Sequence, residues 1–258
     1  MFRKSHYLGF VATLTLISAC VAAPYNQVPV TTDRFVTPAA NNLPTPTPET
    51  EEPDGSRQPT SSDFTPVSQL RTCDDRSVGN DPGRNAMGYL SDYRPFITVA
   101  GEVTLAMAPV DNACLSSGFG PRARSIHKGI DLAARRNGVK INPDNRAAGH
   151  AIVLEAKYHR AFGHYVLLAH GKNVFTRYAH LGKIYDGIKP GAHIALGTPL
   201  GPMGASGNAR GAHLHFEVLV GNYDTTKVSY GLRALDPFEI AKLNTQEERH
   251  TGGELVGP

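Results

Sequence analysis

Nine of the chain's 11 histidines lie between positions 127 and 215, and three short patterns hold those whose spacing could do chemistry. They are His127-Lys128-Gly129-Ile130-Asp131, Tyr178-Ala179-His180-Leu181 and His213-Leu214-His215-Phe216-Glu217. Each is weak alone, because a histidine on a strand is usually a polar side chain with a local partner. The third carries geometry. Residues two apart on a strand project to the same face. His213 and His215 therefore stand side by side, while Leu214 and Phe216 point the other way, toward a core. Two imidazoles over an apolar opposite face make a platform for a metal. Zinc takes histidine nitrogen and carboxylate oxygen, and a catalytic site leaves one position open for water. Three of the candidate groups would then be ligands, with others left for proton transfer.

The elements that must position these groups read as strands. Short β-rich runs recur at 152–156, 165–170, 174–181, 193–196 and 214–220, with Gly171-Lys172-Asn173 as a hairpin turn between two of them. Lys189-Pro190-Gly191 and Gly201-Pro202-Met203-Gly204 are further turn signals. Many short strands with little helical periodicity predict an all-β fold, an antiparallel sheet of sandwich-like build. Asp236-Pro237 starts a short helix, with Asp236 as cap and proline at the first position. Beyond it, residues 242–258 are expected to fray.

The N-terminus reads as an address and an anchor. Arg3 and Lys4 precede an apolar run at 8–19, too short to span a membrane but right for a signal-peptide core. The run ends Ile17-Ser18-Ala19-Cys20, which resembles a bacterial lipobox with Cys20 as the lipidation site; the alternative is an ordinary secretory signal cut near Val21-Ala22-Ala23. Val21 stands where inner-membrane retention signals resemble one another in carrying aspartate, so the outer membrane is favoured. Residues 1–19 are thus a lipoprotein signal peptide and 20–66 a lipidated cysteine with a Pro/Thr-rich tether. Nine of the chain's 19 prolines fall in 24–66, and such a stretch buries too little apolar surface to offset its chain entropy, so the tether is expected to be disordered. In an oxidising compartment the two remaining cysteines, Cys73 and Cys114, are expected to pair. That bond would close a loop of roughly forty residues, worth about 3–4 kcal/mol by the chain-entropy model. Apolar residues return after Pro66, so 67–108 is expected to pack on the domain that follows, with a strand within 96–107.

Composition excludes several classes. With 26 Lys and Arg against 23 Asp and Glu, no tryptophan and no nucleic-acid motif, the chain is not a nucleic-acid binder. Residues 67–258 carry 22 basic and 17 acidic side chains, a mild excess that suits an anionic polymer. Oligomeric state is not legible, and a monomer is favoured.

The motifs closely resemble one family. Leu115-Ser116-Ser117-Gly118-Phe119-Gly120-Pro121-Arg122 followed by His127-x-x-x-Asp131, then Tyr178-Ala179-His180-Leu181, then Gly204-Ala205-Ser206-Gly207 with Gly211-Ala212-His213-Leu214-His215-Phe216-Glu217, look like the successive motifs of the lysostaphin-type (LytM-domain) zinc metallopeptidases. The resemblance runs from about 113 to 240 and marks 109–241 as a zinc endopeptidase domain. It implies one Zn²⁺ per chain held by His127, Asp131 and His215, with His180 and His213 as catalytic histidines. Peptidoglycan is the implied partner and substrate, and the D-alanyl–diaminopimelate cross-link the implied bond in a Gram-negative wall. The expected setting is an outer-membrane lipoprotein facing the periplasm, held to the membrane by its N-terminal lipid. The rival class is a non-enzymatic activator of cell-wall amidases, a role taken by domains of this kind that have lost zinc ligands; a zinc-binding module without catalysis is a third. The stretch 140–149 departs from the family pattern, leaving a groove-edge loop open, and Glu217 is open as a partner of the histidine pair.

Cys20→Ser is expected to abolish acylation and release the protein from membranes. Fractionation that still finds the variant in the outer membrane would show that something other than lipid holds it.

Overall fold

The computed structural model describes residues 64–73, 78–123 and 125–252. The expected signal peptide, Cys20 and nearly all of the tether lie outside them.

In chain order the strands are β1 (Phe96–Val99), β2 (Val103–Ala106), β3 (Ala113–Ser117), β4 (Gly120–Arg122), β5 (Ser125–His127), β6 (Ile130–Arg136), β7 (Val139–Ile141) and β8 (Asp144–Arg146). They continue as β9 (Ala151–His159), β10 (Gly163–Ala169), β11 (Val174–Leu181), β12 (His193–Ile194), β13 (Pro199–Pro202), β14 (Leu214–Gly221) and β15 (Leu232–Leu235), and a helix α1 (Pro237–Gly252) closes the chain. The main sheet runs β12-β9-β10-β11-β14-β6-β3, with β15 on β14 and β7 on β6; three further pairs are β1-β2, β13-β8 and β4-β5. Every pairing between strands is antiparallel. The Gly171–Asn173 turn joins β10 to β11 with Lys172 and Asn173 both at positive φ, 49° and 56°. That conformation matches the right-handed twist of the flanking strands.

Strand alternation sorts the side chains onto two faces. From β10, β11, β14 and β6, one face sends Val166, Leu168, Val174, Tyr178, Leu214, Phe216, Val218, Ile130 and Leu132 into the main core. The other sends Tyr165, Leu167, Phe175, Ala179 and Leu219 into a smaller cluster capped by Leu232. β11 is buried at all eight positions. On that second face stand His213, His215 and Glu217 of β14 and its approach, and Asp131 of β6.

The segment before β3 belongs to the same core. Leu70, Leu90, Ile97, Val99, Leu105 and Met107 are buried in the main cluster, and so is Phe64, which corrects the expected tether boundary at 66: its ring packs into the core. Arg71 and Gly79 run beside β3, their carbonyls accepting from the backbone N–H groups of Leu115 (2.8 Å) and Gly118 (2.8 Å). Cys73 and Cys114 are bonded across this join, with Cα atoms 5.0 Å apart.

The C-terminal end differs from the expected frayed tail. Residues 242–252 continue α1. Asp236 Oδ1 accepts from the Phe238 N–H at 2.9 Å, capping the helix, and Phe238 and Ala241 enter the core. Asn244 then pins the edge of β1: its Oδ1 accepts from the Thr98 N–H (2.8 Å) and its Nδ2 donates to the Thr98 carbonyl (3.1 Å). Arg94 pairs with Glu248 at 2.7 Å one turn further on. These contacts are tertiary, and a scan for hydrophobic periodicity does not register them.

Deleting residues 1–108 removes the buried side chains of Leu70, Leu90, Ile97, Val99, Leu105 and Met107. At about 1.5–3 kcal/mol each, their loss matches or exceeds the roughly 5–15 kcal/mol that stabilises a typical domain. A chain beginning at residue 109 is therefore expected to show no cooperative thermal transition by circular dichroism. A sharp transition at the midpoint of the longer chain would refute this.

Candidate metal centre

Three strands and a hairpin bring the first group of side chains together. His215 and Asp131 are direct cross-strand partners on β14 and β6. His127 ends β5 and reaches over them through Lys128-Gly129. Gly129 is required there: a Cβ would lie 2.3 Å from the Phe216 carbonyl oxygen. His127 Nε2 lies 3.0 Å from Asp131 Oδ1 and 3.0 Å from His215 Nδ1, and His215 Nδ1 lies 2.9 Å from Asp131 Oδ1. All three side chains are buried.

The outward hydrogen bonds decide the tautomers. His127 Nδ1 lies 2.6 Å from the Gly118 carbonyl, which can only accept, so Nδ1 carries the proton and Nε2 turns a bare lone pair inward. His215 Nε2 donates to Glu217 Oε1 at 3.0 Å, which bares Nδ1 in the neutral ring. Two lone pairs and a carboxylate oxygen thus converge, an arrangement that calls for a proton or a cation. An ion bound to nitrogen and oxygen at about 2.0–2.2 Å in tetrahedral geometry holds its ligands about 3.3–3.6 Å apart. A separation of 2.9–3.0 Å needs only a slight opening, so the donor set and its spacing fit a divalent metal.

The electrostatics agree. Burial alone would drive the His215 imidazole down, but hydrogen bonds to Asp131 and Glu217, with their negative charges, outweigh it and push it up to about 9. Burial would raise the Asp131 carboxyl, but His127 and His215, which hydrogen-bond it when protonated, hold it far below the usual carboxylate range. Without an ion the cluster holds a proton, and metal and proton compete for it.

The second group faces the same groove. His180 Nδ1 donates to the Ser206 carbonyl (2.8 Å) and His213 Nδ1 to the Gly211 carbonyl (2.8 Å), so both neutral rings turn Nε2 lone pairs outward. Their ring centroids are 4.9 Å apart. His213 Nε2 is 3.6 Å from Asp131 Oδ1. Burial pushes the His180 imidazole below the ordinary histidine value.

His180 owes its position to a backbone irregularity. Simple alternation would send it with Val174, Thr176 and Tyr178 toward the main core. Between Tyr178 and Leu181 the register with β10 slips by one residue, and His180 adopts φ 65°. This β-bulge places Ala179 and His180 consecutively on the site face before Leu181 returns to the core. Ser206 ties the bulge down: its hydroxyl accepts from the His164 N–H (2.9 Å) and donates to the Leu181 carbonyl (2.6 Å).

Three more side chains shape the centre and escape a motif search read for ligands. Arg122 Nη2 donates to Asp131 Oδ2 at 3.0 Å, leaving Oδ1 for the cluster. Glu217, open in the sequence, is the hydrogen-bond partner of His215. Arg177 pairs with Glu217 from β11, both side chains buried, and its guanidinium lies 4.6 Å over the Phe162 ring. Burial would raise Glu217, but His215 and the Arg177 charge hold it low and ionised. Strand alternation put Glu217 on the right face; no signal in one sequence paired it with a residue forty positions away.

Five further histidines lie elsewhere. His150, His170 and His193 line a separate depression at the β9–β12 edge, where burial pushes His170 down to about 4. His159 packs on Phe162 and His164 on Tyr158. Of the departing stretch 140–149, no residue lines the groove at the metal centre and Lys140 alone lines the adjoining cavity; 144–146 form β8 and pair with β13.

This arrangement can be set beside known proteins. Residues 125–228 match the model of peptidase family M23. Peptidoglycan DD-endopeptidase ShyA of Vibrio cholerae is 34% identical over 117 residues, 43% of this chain and 26% of ShyA. ShyC of the same organism is 31% identical over 120 residues, 44% of this chain and 26% of ShyC. The chain thus spans about a quarter of the length of these curated relatives. The lysostaphin catalytic domain of Staphylococcus simulans superposes with a TM-score of 0.42 at 23% identity, covering 51% of this chain and 94% of that one.

Within the matched residues Glu217 sets the proton position on His215. Glu217→Gln is expected to weaken metal binding about 10–100-fold, the usual effect of losing a partner that orients a ligand, and to destabilise the fold by leaving Arg177 buried without its counter-charge. Competition with a chelator and thermal unfolding measure the two. Unchanged metal affinity would show that His215 needs no such anchor.

Proposed function

We propose that the chain is a zinc-dependent peptidoglycan endopeptidase that hydrolyses peptide cross-links, in a Gram-negative wall the D-alanyl–diaminopimelate bond. The observation that carries this reading is the meeting of two sets of lone pairs in one groove: three that converge on a single point and two, on His180 and His213, that do not. A site built only to hold a metal has no use for the second set. The match of residues 125–228 to peptidase family M23 and the names of the Vibrio relatives support the same reading.

His127, Asp131 and His215 would hold the ion. Zinc, when bound, supplies a Lewis acid for the scissile carbonyl and lowers the pKa of water. The chain's own residues handle the protons. His180, kept neutral by burial and aimed by the Ser206 carbonyl, accepts a proton at Nε2 from the attacking water. His213 faces the same space from the Asp131 side and, having taken a proton from solvent at Nε2, hydrogen-bonds the developing oxyanion or passes that proton to the leaving amine, while His180 releases the water's proton to solvent. Phe162 and Ala161 wall the groove beside the pair. An acyl anchor at Cys20 and a tether reaching roughly 40 Å would set this chemistry at the outer membrane, facing the periplasm.

His127→Ala, Asp131→Ala and His215→Ala are each expected to lose zinc and activity. His180→Ala and His213→Ala should keep most zinc and lose rate by about 10²–10⁴-fold. Zinc analysis and muropeptide analysis after digestion of purified peptidoglycan check both. Cross-links left intact by a zinc-loaded wild-type chain would instead favour a binder or an amidase activator, and zinc loss in His213→Ala equal to that in His215→Ala would overturn the division of roles.

A further inference from the structure

The groove at the metal centre, about 780 Å³, runs into a second cavity of about 360 Å³, and the two share Ser116, Asp131, Arg210 and His213. Asp131 is the only acidic residue among their described walls. Both of its oxygens are committed, Oδ1 to His127 and His215 and Oδ2 to Arg122. Against it stand Arg122, Arg135, Lys140 and Arg210. A cleft lined by one sign of charge concentrates ligands of the other sign.

The four cations differ in availability. Arg122 is bound to Asp131 and to Ser117 Oγ (3.0 Å). Arg135 donates to the Gly138 carbonyl at 3.0 Å. Lys140 lines only the outer cavity. Arg210 lines both, is exposed, and has no hydrogen bond or ion pair among the described residues. Its loop is nonetheless held. The Asn208 N–H donates to the Ala161 carbonyl (3.0 Å) and the His213 N–H to the Gly204 carbonyl (3.1 Å). Gly207 packs so closely on β10 that a Cβ would lie 2.2 Å from the Gly163 nitrogen. A guanidinium three residues from His213, on an anchored loop, is placed to form a two-pronged bond to a carboxylate with little cost in ordering the backbone.

We propose that Arg210 is a specificity-determining residue that receives a substrate carboxylate beside the scissile amide. The proposal rests on the endopeptidase reading. In a D-alanyl–diaminopimelate cross-link the alanine carboxyl is consumed in the amide. The one free carboxylate next to the bond therefore sits on the carbon that carries the leaving amine, and that group is the ligand assigned to Arg210. Binding it orients the leaving amine toward His213.

The test uses the zinc-loaded full chain and two synthetic cross-linked peptides. They are identical except that the carboxyl on the carbon bearing the cross-linking amine is free in one and a carboxamide in the other. The wild-type chain is expected to prefer the free acid in kcat/KM by about 10–100-fold, as for a charge-assisted bond. Arg210→Met should collapse that ratio toward one, and Arg210→Lys should retain part of it. Because both rates come from one preparation, the ratio is insensitive to folding or zinc content. A wild-type ratio near one, or a wild-type ratio preserved in Arg210→Met, overturns the proposal while leaving the endopeptidase reading intact. Cleavage of neither peptide by the wild-type chain overturns that reading and the proposal with it.

Discussion

Three acceptor atoms, His127 Nε2, Asp131 Oδ1 and His215 Nδ1, are forced to within 3.0 Å of one another. Left alone they repel, and buried polar atoms that face only like atoms are costly. Much of the surrounding structure exists to hold them so. The Gly118 carbonyl and the Glu217 carboxylate claim the outward ring protons, Arg122 claims the other Asp131 oxygen, and the β14–β6 register sets His215 opposite Asp131. The strain is resolved by whatever positive charge enters, and a divalent ion outbids a single proton when its concentration allows.

The sheet makes this possible by having two apolar faces. β11 is buried along its whole length because the main core covers one side and a second cluster covers the other. The second cluster is small, and polar groups break through it. Arg177 and Glu217 form a buried pair there, and Glu155 takes hydrogen bonds from Tyr165, Tyr223 and Lys157. Buried ion pairs seldom stabilise a fold by themselves; here the pair's use lies in orientation, since Glu217 links a central strand to a ligand ring.

Much of this was legible in the residues. The i, i+2 spacing of His213 and His215 over Leu214 and Phe216 gave the facing of β14, and the β-rich runs gave β11 and β14 to within a residue, while β6, which carries Asp131, was not among them. Turn chemistry at 171–173 fixed the hairpin. What escaped has a common cause. The bulge at His180, the Arg177–Glu217 pair, the Ser206 hydroxyl between two strands and the docking of α1 on β1 are contacts between residues far apart in sequence. Local pattern carries no trace of them. The helix through Gly252 is the clearest case: its polar stretch after Ala241 reads as a tail until Asn244 is seen bonded to Thr98.

The left-handed backbone of His180 bears on how any substitution there is to be interpreted. At φ 65° an ordinary L-residue pays about 1–2 kcal/mol of steric energy, while asparagine and glycine tolerate the region well. An alanine at 180 therefore alters two things together, the proton acceptor and the comfort of the bulge, and a relaxed bulge would also shift Leu181 and the strand beyond. Asparagine removes the basic ring nitrogen while keeping a residue suited to the turn. The difference between the two replacements isolates the conformational share of the histidine's contribution from its acid–base share, a separation that a single deletion at this position cannot make.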